Sequence, residues 1–281
     1  MKRTLSLLIV MLIVLGICGC QQKPGGSSAP SATCDEAVSA SSPDEAARPA
    51  TRDEAEPVEP ETAPDEYYDR VDEIFAAPLA HTNRLLDAGE WIQYPELPTG
   101  CESVALTAAL DCLGFDIEKT EIAENYLYYA DEDVMYGYVG DPFSDYGAAV
   151  YPPGLANTAN YYLEVNDSDY RAVTTMGADM QSLFKLIDAG YPVVVWTTLW
   201  VNEPMVTDYE YYYNGETYYW YENEHCVLLC GYDLEENTVT ISDPNEGIVT
   251  HDADWFEAVY DGVGRLSMTI VDLNGNEAWK H

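Results

Sequence analysis

Basic residues are scarce in this sequence, which has 12 lysines and arginines against 50 aspartates and glutamates and a formal net charge of −38. A surface with so few cations repels phosphates, so the composition argues against nucleic-acid binding. The excess of acid identifies no partner, because a solvated acidic surface accounts for it. The acidic stretch DPNEG (243–247) lacks the ligand spacing of a calcium loop. We therefore expect no nucleic-acid partner, no metal and no other cofactor.

Long apolar runs are also lacking, and the one candidate lies near the amino terminus. Two basic residues precede an apolar run over 5–17, which is too short to span a bilayer comfortably and has the layout of a secretory signal. The run ends in ICGC, which resembles a bacterial lipobox, and Cys20 suits lipidation because a small glycine precedes it. Residues 1–20 are therefore interpreted as a lipoprotein signal peptide, which predicts an extracellular protein anchored to the bacterial membrane. An ordinary cleaved signal and a marginal anchor helix are the alternatives.

Large apolar side chains are almost absent from residues 21–64, which are rich in Ser, Ala, Pro, Asp and Glu. Such a segment cannot bury enough surface to offset its ordering entropy, so it is predicted to be a disordered tether. Its reach would be roughly 35–40 Å. Residues 65–281 have the length of a single domain and can bury a full hydrophobic core.

Disulfide bonds are not predicted, although the sequence contains seven cysteines. Without the signal and the lipidated residue an odd number remains, so at least one thiol is unpaired within the chain. Cys101 and Cys112 would lie roughly 16 Å apart along one helix. Cys226 and Cys230 would lie about 13 Å apart along one strand. Neither pair can bond directly, so Cys112, Cys226 and Cys230 are interpreted as buried small apolar residues, with Cys101 the exception. Cys34 falls in the tether and has no apparent structural role.

Hydrophobic periodicity divides the domain into a helical first half and a strand-rich second half. Helices are predicted over 67–89 with a break at Pro78, 101–113 with a stop at Gly114, 119–129, 154–165 and 180–190. Strands are predicted over 192–200, 209–222 as a hairpin around Asn214-Gly215, 225–244 as two strands joined near Glu235, and 264–273. This order predicts an α+β domain in which an antiparallel sheet packs on a helical half.

A single cysteine follows a turn and opens a strongly apolar helix in LPTGCESVALTAALDCLG. At the first turn of a helix, Cys101 would face unpaired N–H groups and the positive end of the helix dipole. Both lower the pKa of a thiol and favour the nucleophilic thiolate. Glu102 beside it is favourable at a helix start, although its charge partly opposes a thiolate. Taken alone, Cys101 is also compatible with a buried small apolar side chain.

A base and an orienting carboxylate are available in the second half of the chain. His225 begins the strand HCVLLCGY, where a side chain projects from the end of a sheet. The following hairpin returns the chain to Asp243 at the same end, where a carboxylate can hold the imidazole in one tautomer. A capped surface histidine and a turn aspartate are the alternatives. A zinc site from His225, Cys226 and Cys230 is excluded, since strand alternation sends His225 to the opposite face.

Several motifs together resemble the peptidase C39-like family over about residues 90–272. They are IQYPELPTGCESVALTAALDCLG, YVGDPFSDYG with VYPPG, AGYPVVVW, HCVLLCGYD and ISDP. The resemblance implies a papain-like cysteine peptidase fold, with an N-terminal helical half whose nucleophile helix packs on a C-terminal antiparallel β-sheet. Exporter-fused members carry membrane-spanning and ATP-binding segments that this sequence lacks, so cleavage of bacteriocin leaders is not implied.

The same resemblance implies roles for four residues. Cys101 would be the nucleophile, His225 the general base and acid, and Asp243 the residue that orients the imidazole. Gln93 would donate to the oxyanion together with the backbone N–H of Cys101, although its spacing of eight residues from the cysteine is longer than the usual papain-like one.

The aromatic hairpin is the candidate for substrate specificity. Alternation is expected to place Tyr209, Tyr211, Tyr213, Tyr219 and Tyr221 on one face and Tyr212, Tyr218 and Trp220 mostly on the other. One face would pack on the domain, and an exposed second face would suit a peptide or glycan. Tyr213, Tyr218 and Trp220 are the predicted substrate-binding residues.

These features predict a secreted, membrane-tethered cysteine hydrolase that cleaves a peptide or related amide bond through a thioester intermediate. An acyltransferase of the same fold is one alternative. A binding module for a peptide or glycan, without turnover, is another.

Overall fold

The computed structural model describes residues 63–275. The signal peptide, Cys20, Cys34 and all but the last two residues of the tether lie outside the described residues, so those assignments stay predictions. Within 63–275, no helix is long and apolar enough to cross a bilayer. The helices are α1 Asp65–Ala76, α2 Cys101–Cys112, α3 Glu121–Asn125, α4 Pro152–Val165, α5 Met180–Asp188 and α6 Ala253–Gly262. The strands are β1 Asn83–Leu85, β2 Arg171–Thr174, β3 Val193–Thr198, β4 Val206–Tyr213, β5 Glu216–Tyr221, β6 Glu224–Asp233, β7 Thr238–Asp243, β8 Gly247–Asp252 and β9 Ser267–Val271.

A seven-stranded sheet in the order β2-β9-β3-β6-β7-β8, with β1 also paired to β6, forms the centre of the domain. Every pairing in it is antiparallel. All six residues of β3 are buried, as expected for the continuous apolar and β-branched run in the sequence. The predicted α+β class with an antiparallel sheet is confirmed.

Helix α2 lies against the middle of this sheet and carries Cys101 at its first position. Residues 101–110 are all buried, so this part of the helix is enclosed on every side and has no solvent-exposed face. It ends near Gly114, whose φ of +89° requires glycine. The sequence therefore predicts both ends of α2, and its start is placed over strand β6.

The predicted second helix in 67–89 is wrong, although the break at Pro78 is right. After α1 the chain is extended and adds β1 to the sheet, with Arg84 opposite Tyr232. The backbone N–H of Leu86 donates to Cys230 O at 2.8 Å. Strand β6 is longer than β3, so some backbone groups of β6 have no partner in β3. Strand β1 pairs with them, and this gain outweighs the local helix propensity of the segment.

The aromatic hairpin forms as predicted, as a separate two-stranded sheet of β4 and β5. Asn214 and Gly215 both have positive φ, 50° and 88°, as a two-residue hairpin turn requires. The predicted division of its faces is wrong. The turn pairs Tyr211 with Tyr218 and Tyr213 with Glu216, and directly paired residues share a face. Between Glu210 and the turn, odd-numbered residues of β4 therefore lie with even-numbered residues of β5.

Replacing Gly147 by alanine should lower the free energy of unfolding by about 3 kcal/mol, because no room exists for a methyl group. An added Cβ would lie 2.0 Å from Thr99 Oγ1 and 2.2 Å from the Tyr138 hydroxyl. Gly177→Ala is the control, since its Cβ would meet nothing within 4 Å and only its φ of +83° is strained, at about 1 kcal/mol. Urea unfolding measures both. Equal losses would show that contacts around Gly147 are not the cause.

Candidate active site

The loop before Cys101 is fixed by hydrogen bonds to a second loop over 138–147. The Thr99 hydroxyl contacts the carbonyls of Asp141 at 3.2 Å and Ser144 at 3.0 Å. The Tyr138 hydroxyl donates to Thr99 O at 2.5 Å. Gly100 N donates to Leu97 O and closes the turn that leads into α2. The position of the start of α2 is thus set by contacts between residues far apart in sequence.

His225 and Asp243 form a buried pair at the end of strands β6 and β7. His225 Nε2 lies 2.7 Å from Asp243 Oδ1, and each side chain is 2% exposed. Burial acts to raise the pKa of Asp243, but the hydrogen bond and charge of His225 and the N–H groups of Asn245 and Glu246 lower it below its ordinary value. The hairpin brings together the two residues that the sequence analysis paired. Because Nε2 faces the carboxylate, Nδ1 is the ring nitrogen that remains for proton transfer.

Cys101 Sγ points toward buried acids in this conformation. Its thiol donates to Glu102 Oε2 at 3.4 Å, whereas the hydrogen-bond partners of the His225 ring are Asp243 and Asn245. Among the hydrogen bonds of the described residues, none joins Cys101 to His225.

The expectation that the helix start lowers the pKa of Cys101 is wrong for this conformation. Burial raises the pKa well above its ordinary value, and the charges of Glu102 and Glu224 raise it further, against a smaller lowering by the backbone N–H of Cys226. The helix dipole acts on a sulfur that is buried beside two carboxyls, and these surroundings favour the protonated thiol.

Two glutamates lie beside the sulfur: Glu102, which was expected there from the sequence, and Glu224, which was not. Glu102 is completely buried, accepts the N–H of Val150 at 2.9 Å, and burial raises its pKa to about 7. Glu224 has its pKa raised well above the ordinary value, by burial and by Glu102. A usable signal was present, since alternation along β6 places Glu224 on the face of Cys226. Ligand atoms of Cys101, Glu102 and Glu224 lie within 4.8 Å of one another, so these residues could hold a metal.

Gln93 connects the loop before Cys101 to the Asp243 turn. Its backbone N–H donates to Pro244 O at 2.8 Å and its carbonyl accepts from Leu97 N at 2.9 Å. The side chain is 4% exposed, and Nε2 donates to Pro98 O at 2.8 Å. An amide nitrogen has two N–H groups, so one remains for an oxyanion. The role of Gln93 stays a prediction.

The three predicted substrate-binding residues face the domain. Trp220 stacks on Tyr151 with ring centroids 6.4 Å apart, and Tyr213 meets Tyr136 edge-on at 6.5 Å. Tyr213, Tyr218 and Trp220 are all partly buried against the core. The exposed face instead carries Tyr212, which is 68% exposed. Substrate contact by the three stays a prediction.

The model of the Peptidase C39 like family matches residues 85–268. Among solved structures, the chain is similar to a protein described as a C39-like peptidase from Bacillus anthracis, with 27% identity and a TM-score of 0.57 over 67% of this chain and 98% of that one. It is also similar to Xylellain, a cysteine protease from Xylella fastidiosa, with 16% identity and a TM-score of 0.35 over 71% of this chain and 88% of that one. No curated protein matches the chain significantly. The matched residues include Gln93, Cys101, His225 and Asp243.

Proposed function

We propose that this chain, which belongs to the Peptidase C39 like family and is a cysteine peptidase-like hydrolase, cleaves peptide bonds through Cys101, His225 and Asp243. The observation that carries the proposal is the buried His225–Asp243 pair at 2.7 Å. A buried aspartate that accepts from one ring nitrogen fixes the tautomer of the imidazole and stabilises its cation. Gln93 binds the turn that follows this pair and also the loop that presents Cys101.

The proposed reaction begins with a change of the Cys101 side chain from one staggered rotamer to another. Sγ leaves Glu102 and faces Nδ1 of His225, which takes the thiol proton. The thiolate attacks the peptide carbonyl, and the Gln93 amide and the backbone N–H of Cys101 stabilise the oxyanion. His225 then gives its proton to the leaving amine. It next takes a proton from the water that attacks the thioester, and it returns this proton to the departing thiolate, which releases the acid and the free thiol.

Replacing Gln93 by alanine should lower kcat by roughly 10²–10³-fold with little change in KM, because an oxyanion donor acts in the transition state. Steady-state kinetics on a cleaved peptide measure both constants. The exposed Glu96→Ala variant in the same loop is the matched control and should keep kcat. A rise in KM at constant kcat would assign Gln93 to substrate binding instead.

Incubation of the purified chain with a peptide library, followed by mass spectrometry, tests the function. We expect cleaved peptides and an acyl adduct on Cys101 after acid quench. The raised pKa of Cys101 favours one rival, a binding module, which would retain peptides intact and form no adduct. An acyltransferase would form the adduct and, with a panel of amines, give conjugates instead of free acids.

We also propose that the chain is exported and lipidated at Cys20, on the sequence evidence of the lipobox-like ending. Metabolic labelling with a fatty acid should mark the wild-type chain, and Cys20→Ser should remove the label. Equal labelling of both chains would contradict anchoring at this residue, and Cys18→Ser is the control that should keep the label.

A further inference from the structure

Cys101 lies in a cluster with two acids, the buried Glu102 and the partly buried Glu224, which the proposed reaction does not use. Glu224 begins β6, and the other two begin α2, so the packing of helix on strand brings the cluster together. Their ligand atoms lie within 4.8 Å of one another, and Cys101 Sγ is 3.4 Å from Glu102 Oε2. One sulfur and two carboxylate oxygens thus converge at the nucleophile.

The cluster has no cation to balance it among its strongest neighbours. The side chains that act most strongly on Cys101 are Glu102, Glu224 and Cys226, and the charge acting on Glu224 is that of Glu102. A buried carboxylate is costly unless it is paired, protonated or bound to a metal.

Glu224 supplies an independent observation that points to a ligand. Its Oε1 is sealed from solvent and has no hydrogen-bond partner among the described residues. The same side chain supplies the ligand atom that lies near Cys101 Sγ and Glu102. A polar oxygen that is buried without a partner calls for an explanation, and an unoccupied coordination bond is one.

We propose that this cluster binds Zn²⁺, or a similarly thiophilic divalent cation, through the Cys101 thiolate and one oxygen each of Glu102 and Glu224. Tetrahedral zinc holds sulfur at about 2.3 Å and oxygen at about 2.0–2.2 Å, which places ligand atoms roughly 3.3–3.7 Å apart. The Sγ–Oε2 distance of 3.4 Å is slightly shorter than the separation of roughly 3.5–3.7 Å that this geometry gives between a sulfur and an oxygen ligand. Small side-chain rotations bring in the third ligand, and water takes the fourth position. The thiolate favours Zn²⁺ over Mg²⁺ and Ca²⁺.

The bound cation would hold the sulfur away from His225 and so inhibit peptide hydrolysis reversibly. Binding releases the thiol proton, and any proton on the two carboxyls, to solvent. This inhibitory consequence rests on the proposed function, whereas the metal site itself does not.

Titration of the full chain with Cd²⁺, after treatment with a chelator, tests the site through the ultraviolet charge-transfer band of a cadmium–thiolate bond. Glu224→Gln should raise the dissociation constant for Cd²⁺ by tenfold or more. Glu222→Gln is the matched control, because Glu222 is exposed and lies two residues away, and it should keep the wild-type constant. His225→Ala should also keep it. Equal constants for the Glu224 and Glu222 variants, or loss of binding in His225→Ala, would overturn the assignment.

A second measurement does not depend on how well the Glu224 variant folds. Zn²⁺ should protect Cys101 of the wild-type chain from iodoacetamide, as read by peptide mapping, with Cys34 as the internal reference thiol. Unchanged alkylation of Cys101 at saturating Zn²⁺ would contradict the proposal. Neither measurement needs turnover, so a chain that binds metal but cleaves no peptide would refute the proposed function and leave the metal site standing.

Discussion

Cys101→Ala should lower kcat/KM for peptide hydrolysis by on the order of 10⁴–10⁶-fold, because loss of a nucleophile removes the covalent pathway entirely. The fold should survive, since the sulfur makes one weak side-chain hydrogen bond and an alanine methyl fits at a helix start. Hydrolysis of the best library peptide and formation of the acyl adduct are the two readouts.

Cys112→Ala provides the matched control for this variant. Cys112 ends the same helix, burial raises the pKa of its thiol to about 12, and it has no part in the proposed reaction. Its variant should keep full activity apart from a modest loss of stability. Retained hydrolysis by Cys101→Ala would exclude the cysteine mechanism, and equal loss in both variants would indicate misfolding.

Asp243→Ala should lower kcat by roughly 10²–10⁴-fold, with little change in KM, because the imidazolium formed during the reaction loses its buried counter-charge. The His225–Asp243 distance is 2.7 Å with both side chains 2% exposed, so water replaces the carboxylate poorly. Glu246→Gln, an exposed acid in the same turn, is the control and should remain active. An unchanged kcat in Asp243→Ala would remove the carboxylate from the mechanism.

The same pair sets the sign of a pH effect on stability. The folded-state pKa of Asp243 lies below its ordinary value, since His225 and two backbone N–H groups outweigh burial. A lowered pKa stabilises the fold above the unfolded-state value of about 3.9 and loses that contribution as the pH falls through the folded-state value. The stability difference between the wild type and Asp243→Ala should therefore begin to shrink below about pH 5. Urea unfolding across this range checks the sign.

The elements that the sequence predicts well are those encoded by local patterns. The start of α2 after LPTG, the end near Gly114 and the Asn214-Gly215 turn each depend on a few adjacent residues. The His225–Asp243 contact was also predictable, because a short hairpin with fixed antiparallel register returns the chain to its starting end. Each of these features depends only on residues that lie close together in the sequence.

The errors and omissions share a long-range cause. The segment after Pro78 has helical periodicity, yet it is a strand because the unpaired length of β6 accepts it. The thiol of Cys101 was expected to ionise, yet Glu224, from the opposite half of the domain, lies beside it. Strands β2 and β8 and helix α6 were not assigned at all. The two strands form the edges of the sheet, and α6 lies against β3, β7 and β8. Local propensity cannot anticipate such neighbours.

Tyr151 links the hairpin of β4 and β5 to the surroundings of the Cys101 sulfur. Tyr151 stacks on Trp220 and its hydroxyl binds the carbonyl of Tyr219, while its neighbour Val150 is bound by the carboxyl of Glu102. A ligand that tilts the hairpin would therefore pull, through one aromatic residue and one peptide unit, on the acid that restrains the Cys101 thiol.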